Sequence, residues 1–145
     1  SLDLGEAPEQ SIPLFRGLST RQARIFALMS KTQRLAAGQR LFSAGESGNE
    51  MFVVIDGLLL ASVERDGQRV ELERMRRGDV VGEVALFSEH RSANVDVLEE
   101  TRVLRFGESD LERLRERYPR IAAVVHANLN RVLAARIQNT VRILR

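Results

Sequence analysis

The apolar positions of this chain change their spacing twice. Residues 1–10 carry no usable periodicity and include Gly5 and Pro8, which reads as a tail or linker. Ile12 to Leu18 then gathers a short apolar cluster around Pro13 and Gly17. Ser19 offers a side-chain oxygen to the free amides of a helix predicted over Arg21 to Ser30, with Ile25, Leu28 and Met29 facing inward. From Thr32 to Phe106 the pattern shortens to β-type runs punctuated by glycine: Leu41-Phe42, Met51 to Ile55, Leu58 to Val63, Val70 to Met75, Val80-Val81, Ala93 to Val97 and Arg102 to Phe106. Asp66-Gly67 between two of these runs predicts a hairpin, because a type I′ turn needs positive φ at both central residues. Many short strands with regular turns predict an antiparallel sheet of the sandwich or jelly-roll kind. Glu83 to Ser88 breaks the alternation directly after Gly82 and predicts a helical turn inside the β region.

Beyond Phe106 the period is helical. Ser109 and Glu112 stand at capping-box spacing, Leu111 and Leu114 give the first apolar face, and Pro119 suits the first turn of a second helix. That second helix carries Ile121, Val124, Val125, Leu129, Val132, Leu133, Ile137, Val141 and Leu144 at spacings mostly of three and four, so a long amphipathic helix is expected. The expected fold is α+β: an antiparallel β jelly-roll barrel with an N-terminal helical lead-in, a short internal helix and two C-terminal helices. The barrel falls at about 32–106 and the C-terminal helices at about 108–144, inside one domain over residues 11–145.

Composition removes several function classes. A chain of 145 residues without cysteine needs no staples for its core and has no disulfide, thiol nucleophile or cysteine metal site. His90 and His126 are the two histidines, far apart and without a carboxylate at ligand spacing, so no metal site is expected. Neither a nucleophile elbow nor a Walker loop is present, which leaves catalysis without a carrier and predicts a protein that is not an enzyme. Lysine and arginine number 22 against 20 acidic residues, so the net charge of +2 argues for solvated arginines rather than a direct nucleic-acid partner. Without an apolar run of spanning length or a leader pattern, the expected location is cytoplasmic, either free or as the cytosolic domain of a membrane protein.

The candidate chemistry sits where the β pattern breaks. Val81-Gly82-Glu83-Val84-Ala85-Leu86-Phe87, followed by Arg91-Ser92-Ala93, puts a carboxylate, a turn glycine and a guanidinium near a short helix start. A carboxylate accepts from hydroxyl donors, a guanidinium matches two phosphate oxygens, and the free amides of a helix start attract an anion. A small ligand bearing both hydroxyls and a phosphate needs this set.

The spacing resembles the phosphate-binding cassette of cyclic nucleotide-binding domains, the module of catabolite activator proteins, cyclic-nucleotide-dependent kinase regulatory subunits and nucleotide-gated channels. Leu41-Phe42-Ser43-Ala44-Gly45-Glu46, Met51-Phe52-Val53-Val54-Ile55-Asp56-Gly57 and Arg77-Gly78-Asp79-Val80 resemble that family's frame in the same order. The resemblance implies that Glu83 holds the ribose 2′-hydroxyl and that Arg91 pairs with the cyclic phosphate beside Ser92 and Ala93. It implies that Gly82, Val84, Ala85 and Leu86 present backbone amides to the phosphate. It also implies a lid on the last helix, with Asn128, Arg131 and Val132 as candidates, no resident cofactor, and cAMP as ligand with cGMP the alternative. Ser92, in place of a threonine that would help bind guanine, favours cAMP. Three departures stand out: Glu83 and Arg91 are only eight positions apart, His90 replaces a proline before the arginine, and Asn94 stands where threonine or another small residue is common.

The implied function is a regulatory domain in which ligand binding repacks the C-terminal helices and controls an attached effector. Tyr118-Pro119 through Leu144 resembles the tails of such domains on bacterial sulfate-permease-type transporters, and the same helix is a candidate homodimer surface. Two other readings stay open. One is a degenerate module that keeps the fold without the ligand. The other is the sensor part of a truncated DNA-binding regulator whose reader domain lies outside this sequence.

Overall fold

The computed structural model describes residues 3–86 and 88–144, the side chains of 85, 86, 137 and 139–144 excepted. Two long strands organise it. β3 (Glu50–Arg65) and β6 (Asn94–Gly107) pair antiparallel along most of their length and form the centre of the sheet. β1 (Lys31–Leu35) and β2 (Arg40–Phe42) pair with β6, while β4 (Gln68–Met75) and β5 (Val80–Val81) pair with β3. The class is α+β with an antiparallel, jelly-roll-like sheet, as expected, although the pairing describes one sheet rather than a closed ring. The sequence divided each long strand in two. Gly57 and the Leu98–Glu100 stretch bend the chain at register shifts near Asp56 and Leu58, and the ladder continues through them.

β3 is buried on both faces, which is why Met51 to Ile55 shows no alternation. Met51, Val53 and Ile55 join one core cluster with Leu104, Phe106 and the helices, whereas Phe52 and Val54 join a second with Leu35, Phe42, Val81, Val97 and Val103. The Asp66-Gly67 hairpin forms as expected, with φ of 52° and 76° and Arg65 opposite Gln68. β1 was not among the expected runs, because Lys31-Thr32-Gln33-Arg34-Leu35 buries only its last residue.

The helices cover the first cluster. α1 (Pro8–Ser11) and a single 3₁₀ turn (Pro13–Phe15) lead to α2 (Thr20–Met29), whose N-cap Ser19 accepts from the Gln22 amide while the Gln22 side chain accepts from the Ser19 amide. The inward face of α2 differs from the expected one: Ala23, Phe26 and Ala27 are buried, Ile25 and Met29 are half-buried, and Leu28 is 68% exposed. Phe26 is fixed by edge-to-face contacts with Phe15 at 5.4 Å and Phe106 at 5.3 Å.

Within the segment expected as a tail or linker, Leu4 is buried, Arg77 donates to its carbonyl at 2.6 Å and Arg102 donates to the Asp3 carbonyl at 2.7 Å. The N-cap of α3 (Glu108–Arg117) is Gly107, two residues before the expected cap Ser109, with Asp110 rather than Glu112 accepting from the Gly107 amide at 2.9 Å. α4 (Pro119–Leu144) buries Ile121, Ala122, Val125 and Leu129 against the core. The side chains of Ile137, Val141 and Leu144 lie outside the described residues.

Candidate functional site

The cassette hangs from the end of β5, which the Gly78-Asp79 turn places against β3. The Gly78 amide donates to the Val54 carbonyl at 2.8 Å, the Val54 amide donates to the Asp79 carbonyl at 3.0 Å, and the Asp79 carboxylate accepts from the Arg76 amide at 2.8 Å. After β5 the chain reverses at Gly82, whose φ of 81° is a conformation that favours glycine, and enters a 3₁₀ turn over Glu83–Leu86. The helical turn expected inside the β region is therefore present. Val84 is half-buried, the backbone of Ala85 and Leu86 continues the turn, and Phe87 lies outside the described residues.

Arg91 is brought back to Gly82 by a second pair of loops. The Arg91 amide donates to the Glu46 carbonyl at 2.8 Å, the Gly45 amide donates to the Arg91 carbonyl at 2.8 Å, and Ser47 bridges His90. The shortened loop thus keeps Arg91 at the cassette. Its guanidinium lies 4.3 Å from the Phe42 ring centre and 5.9 Å from that of Phe52. Nη1 donates to the Glu50 carbonyl at 2.9 Å and approaches the Gly82 carbonyl at 3.4 Å.

Two glycines make room for this group. A β-carbon at Gly48 would overlap Arg91 Nε, and one at Gly82 would stand 2.7 Å from Nη1. Arg91 is only 8% exposed, and its Nε has no acceptor among the described residues. Burial pushes its guanidinium below the usual arginine range, while Glu50 and Glu46 pull it back. A buried cation with incomplete compensation is stabilised by an arriving anion. Ser92 beside it is exposed and Ala93 half-buried. Asn94, next in line, is buried and accepts from the Ala44 amide at 2.8 Å, tying β6 to the loop after β2.

Glu83 is held differently. Its Oε1 accepts from Arg136 Nη1 of α4 at 2.7 Å, and Arg136 Nη2 donates to the Val80 carbonyl at 2.6 Å. Arg136 Nη2 also lies 3.5 Å from Glu73 Oε1 on β4. Burial raises the pKa of Glu73; Arg136 lowers it, and the neighbouring Glu83 and Asp79 raise it further.

The candidate lid residues stand elsewhere on α4. Asn128 is buried and donates to the Leu14 and Arg16 carbonyls at 2.8 and 2.7 Å, and Arg131 donates to Asn128 Oδ1 at 3.0 Å. With Val132 they line a cleft of about 340 Å³ bordered by Pro13, Arg16, Asp79 and Arg136. Asn128 therefore fastens the N-terminal segment, and Arg136, a turn beyond Val132, meets the cassette at Glu83. Helical spacing carried the signal, since Arg136 shares a face with Asn128 and Val132 at i+8 and i+4. The ring cage and Gly48 around Arg91 had no such signal. Among the described residues no group of three or more His, Asp or Glu side chains could hold a metal, and no helix is long and apolar enough to cross a membrane.

The profile of the cyclic nucleotide-binding domain family matches residues 32–118, a stretch that holds the sheet, the cassette and α3. This chain belongs to that family, whose domains are generally regulatory rather than catalytic. It is 31% identical over 106 residues to a cAMP-dependent protein kinase regulatory subunit from Eremothecium gossypii, covering 72% of this chain and 22% of the relative. It is 28% identical over 138 residues to Glutaminase 1 of Bradyrhizobium diazoefficiens, covering 94% of this chain and 22% of that protein. The chain thus spans about a fifth of each of these two relatives. Among solved structures, the Thermus thermophilus catabolite activator protein superposes with a TM-score of 0.79 at 27% identity, over 91% of this chain and 61% of that one.

Proposed function

We propose that this domain binds cAMP at the cassette and couples its occupancy to the packing of α3 and α4, so controlling an effector attached in a longer protein. The cyclic phosphate meets Arg91 and the amides of the Gly82–Leu86 turn, with Ser92 and Ala93 beside it, and the ribose hydroxyl meets Glu83. The observation that carries this reading is the buried, incompletely compensated guanidinium of Arg91 beside the Gly82 carbonyl, held there from four sides. Serine in place of threonine at position 92 supports cAMP over cGMP, as does the similarity to a cAMP-dependent protein kinase regulatory subunit. The small share of the relatives that this chain covers supports an attached effector.

Calorimetry with cAMP and cGMP tests the proposal. Wild-type protein is expected to bind cAMP more tightly than cGMP. Arg91→Ala is expected to lose affinity on the order of 100-fold, the size that follows truncation of one partner of a buried charge pair. Binding of neither nucleotide below millimolar concentration would leave a structural module in place of a sensor.

A further inference from the structure

The cassette hangs from a strand of only 2 residues, so its position depends on the turn that feeds that strand. Val80 and Val81 pair with Val53 and Phe52, and Gly82 follows at once. The turn at residues 76–79 is gripped by the N-terminal segment, chiefly through Arg77. Its Nη1 donates to the Ile55 carbonyl of β3 at 2.8 Å, Nη2 to the Leu4 carbonyl at 2.6 Å, and Nε to Ser11 Oγ of α1 at 3.1 Å. Residues 3–6 are shaped to receive it. Leu4 is buried, Arg102 donates to the Asp3 carbonyl at 2.7 Å, and the Asp3 carboxylate accepts from the Gly5 amide at 2.9 Å. Gly5 has a φ of 78°, and a β-carbon there would stand 2.9 Å from both Nη atoms of Arg77. Gly78 lies equally close to the segment, since a β-carbon on it would be 2.8 Å from the Ser11 carbonyl oxygen.

We propose that Arg77 is a positioning residue for nucleotide binding: by fastening residues 3–6 to the turn before β5, it holds the Gly82–Leu86 amides in place before ligand arrives. The inference rests on the assignment of those amides to the cyclic phosphate. Arg77 acts through Gly78, Asp79 and β5, whereas Arg91 meets the phosphate itself. Amides fixed in the free protein have less freedom to lose when an anion binds, and that difference is read as affinity.

The test is calorimetry with cAMP and cGMP on the wild type, Arg77→Met and Gly5→Ala, together with amide hydrogen exchange on the ligand-free proteins. Methionine keeps an apolar stem while removing the donors. Gly5→Ala leaves Arg77 itself intact and displaces the segment through the added β-carbon, so it covers the case in which methionine disturbs folding. Denaturant unfolding identifies the folded proteins. Both variants are expected to bind cAMP about ten-fold more weakly, the equivalent of ordering about one further backbone residue. Exchange at Gly82–Leu86 is expected to rise in the ligand-free variants, while the amides pairing β3 with β6 serve as the control for global opening. If the wild type binds and the folded variants bind as tightly, or keep wild-type exchange at Gly82–Leu86, the positioning role is overturned and the cyclic-nucleotide reading stands. A wild type that binds neither nucleotide overturns the reading of the cassette and the role of Arg77 with it.

Discussion

The two charged ends of the cassette are built on opposite terms. Arg91 is set into the sheet: two aromatic rings, a backbone carbonyl and two glycine walls surround it, all contributed by strands or their connecting loops. Glu83 is set against a helix, and its partner Arg136 arrives from α4, more than fifty residues away in sequence. The Arg91 end is therefore preorganised, with little freedom left to lose, while the Glu83 end is joined to α4, one of the two helices through which the proposed coupling runs. A sensor needs both kinds of attachment. A site rigid at both ends would bind without reporting, and one loose at both ends would bind poorly.

The comparison breaks hardest at Gly48. Gly48→Val places side-chain atoms where Arg91 Nε lies, and the surrounding cage gives the guanidinium no adjacent place to go. The expected result is a loss of stability of about 2 kcal/mol, the ordinary cost of overpacking, with loss of nucleotide binding. Denaturant unfolding and calorimetry measure the two effects. A variant that keeps wild-type stability and affinity would show that the Arg91 cage is not rigid.

The smallest effect is expected at the other end. Glu83→Gln removes the carboxylate from a partly exposed ion pair and is expected to change folding stability by less than about 1 kcal/mol while weakening nucleotide binding. A larger destabilisation in the same unfolding measurement would mean that Glu83 holds the fold together as firmly as Arg91 does, and the contrast between the ends would disappear.

Much of this was legible in the residues, for reasons that separate local from distant causes. The Asp66-Gly67 turn, the Ser19 cap and the break after Gly82 are set by backbone demands within a few residues, and all three formed where the sequence placed them. Long-range packing decided the rest. The sheet continues past Gly57, which reads locally as a stop, because β6 still offers a ladder to β3 on both sides of it. α2 turns Leu28 to solvent, since the small Ala23 and Ala27 let the helix sit close enough for Phe26 to reach Phe15 and Phe106. At the site, Gly82, Glu83 and Arg91 were identifiable from spacing. Phe42, Phe52 and Gly48 were not, because they reach Arg91 only once the strands assemble. Arg136 lay on the same helical face as two lid candidates and could have been found by extending that face by one turn.

The central claim is that one ligand joins these two unlike ends. Titrating the isotopically labelled protein with cAMP and following backbone amide resonances tests it directly. Shifts concentrated at Gly82–Leu86, at Arg91–Ala93 and along α4 near Arg136 are the predicted result. Saturating cAMP that leaves those amides unmoved, or that shifts only the cleft beside Asn128 and Asp79, would contradict it.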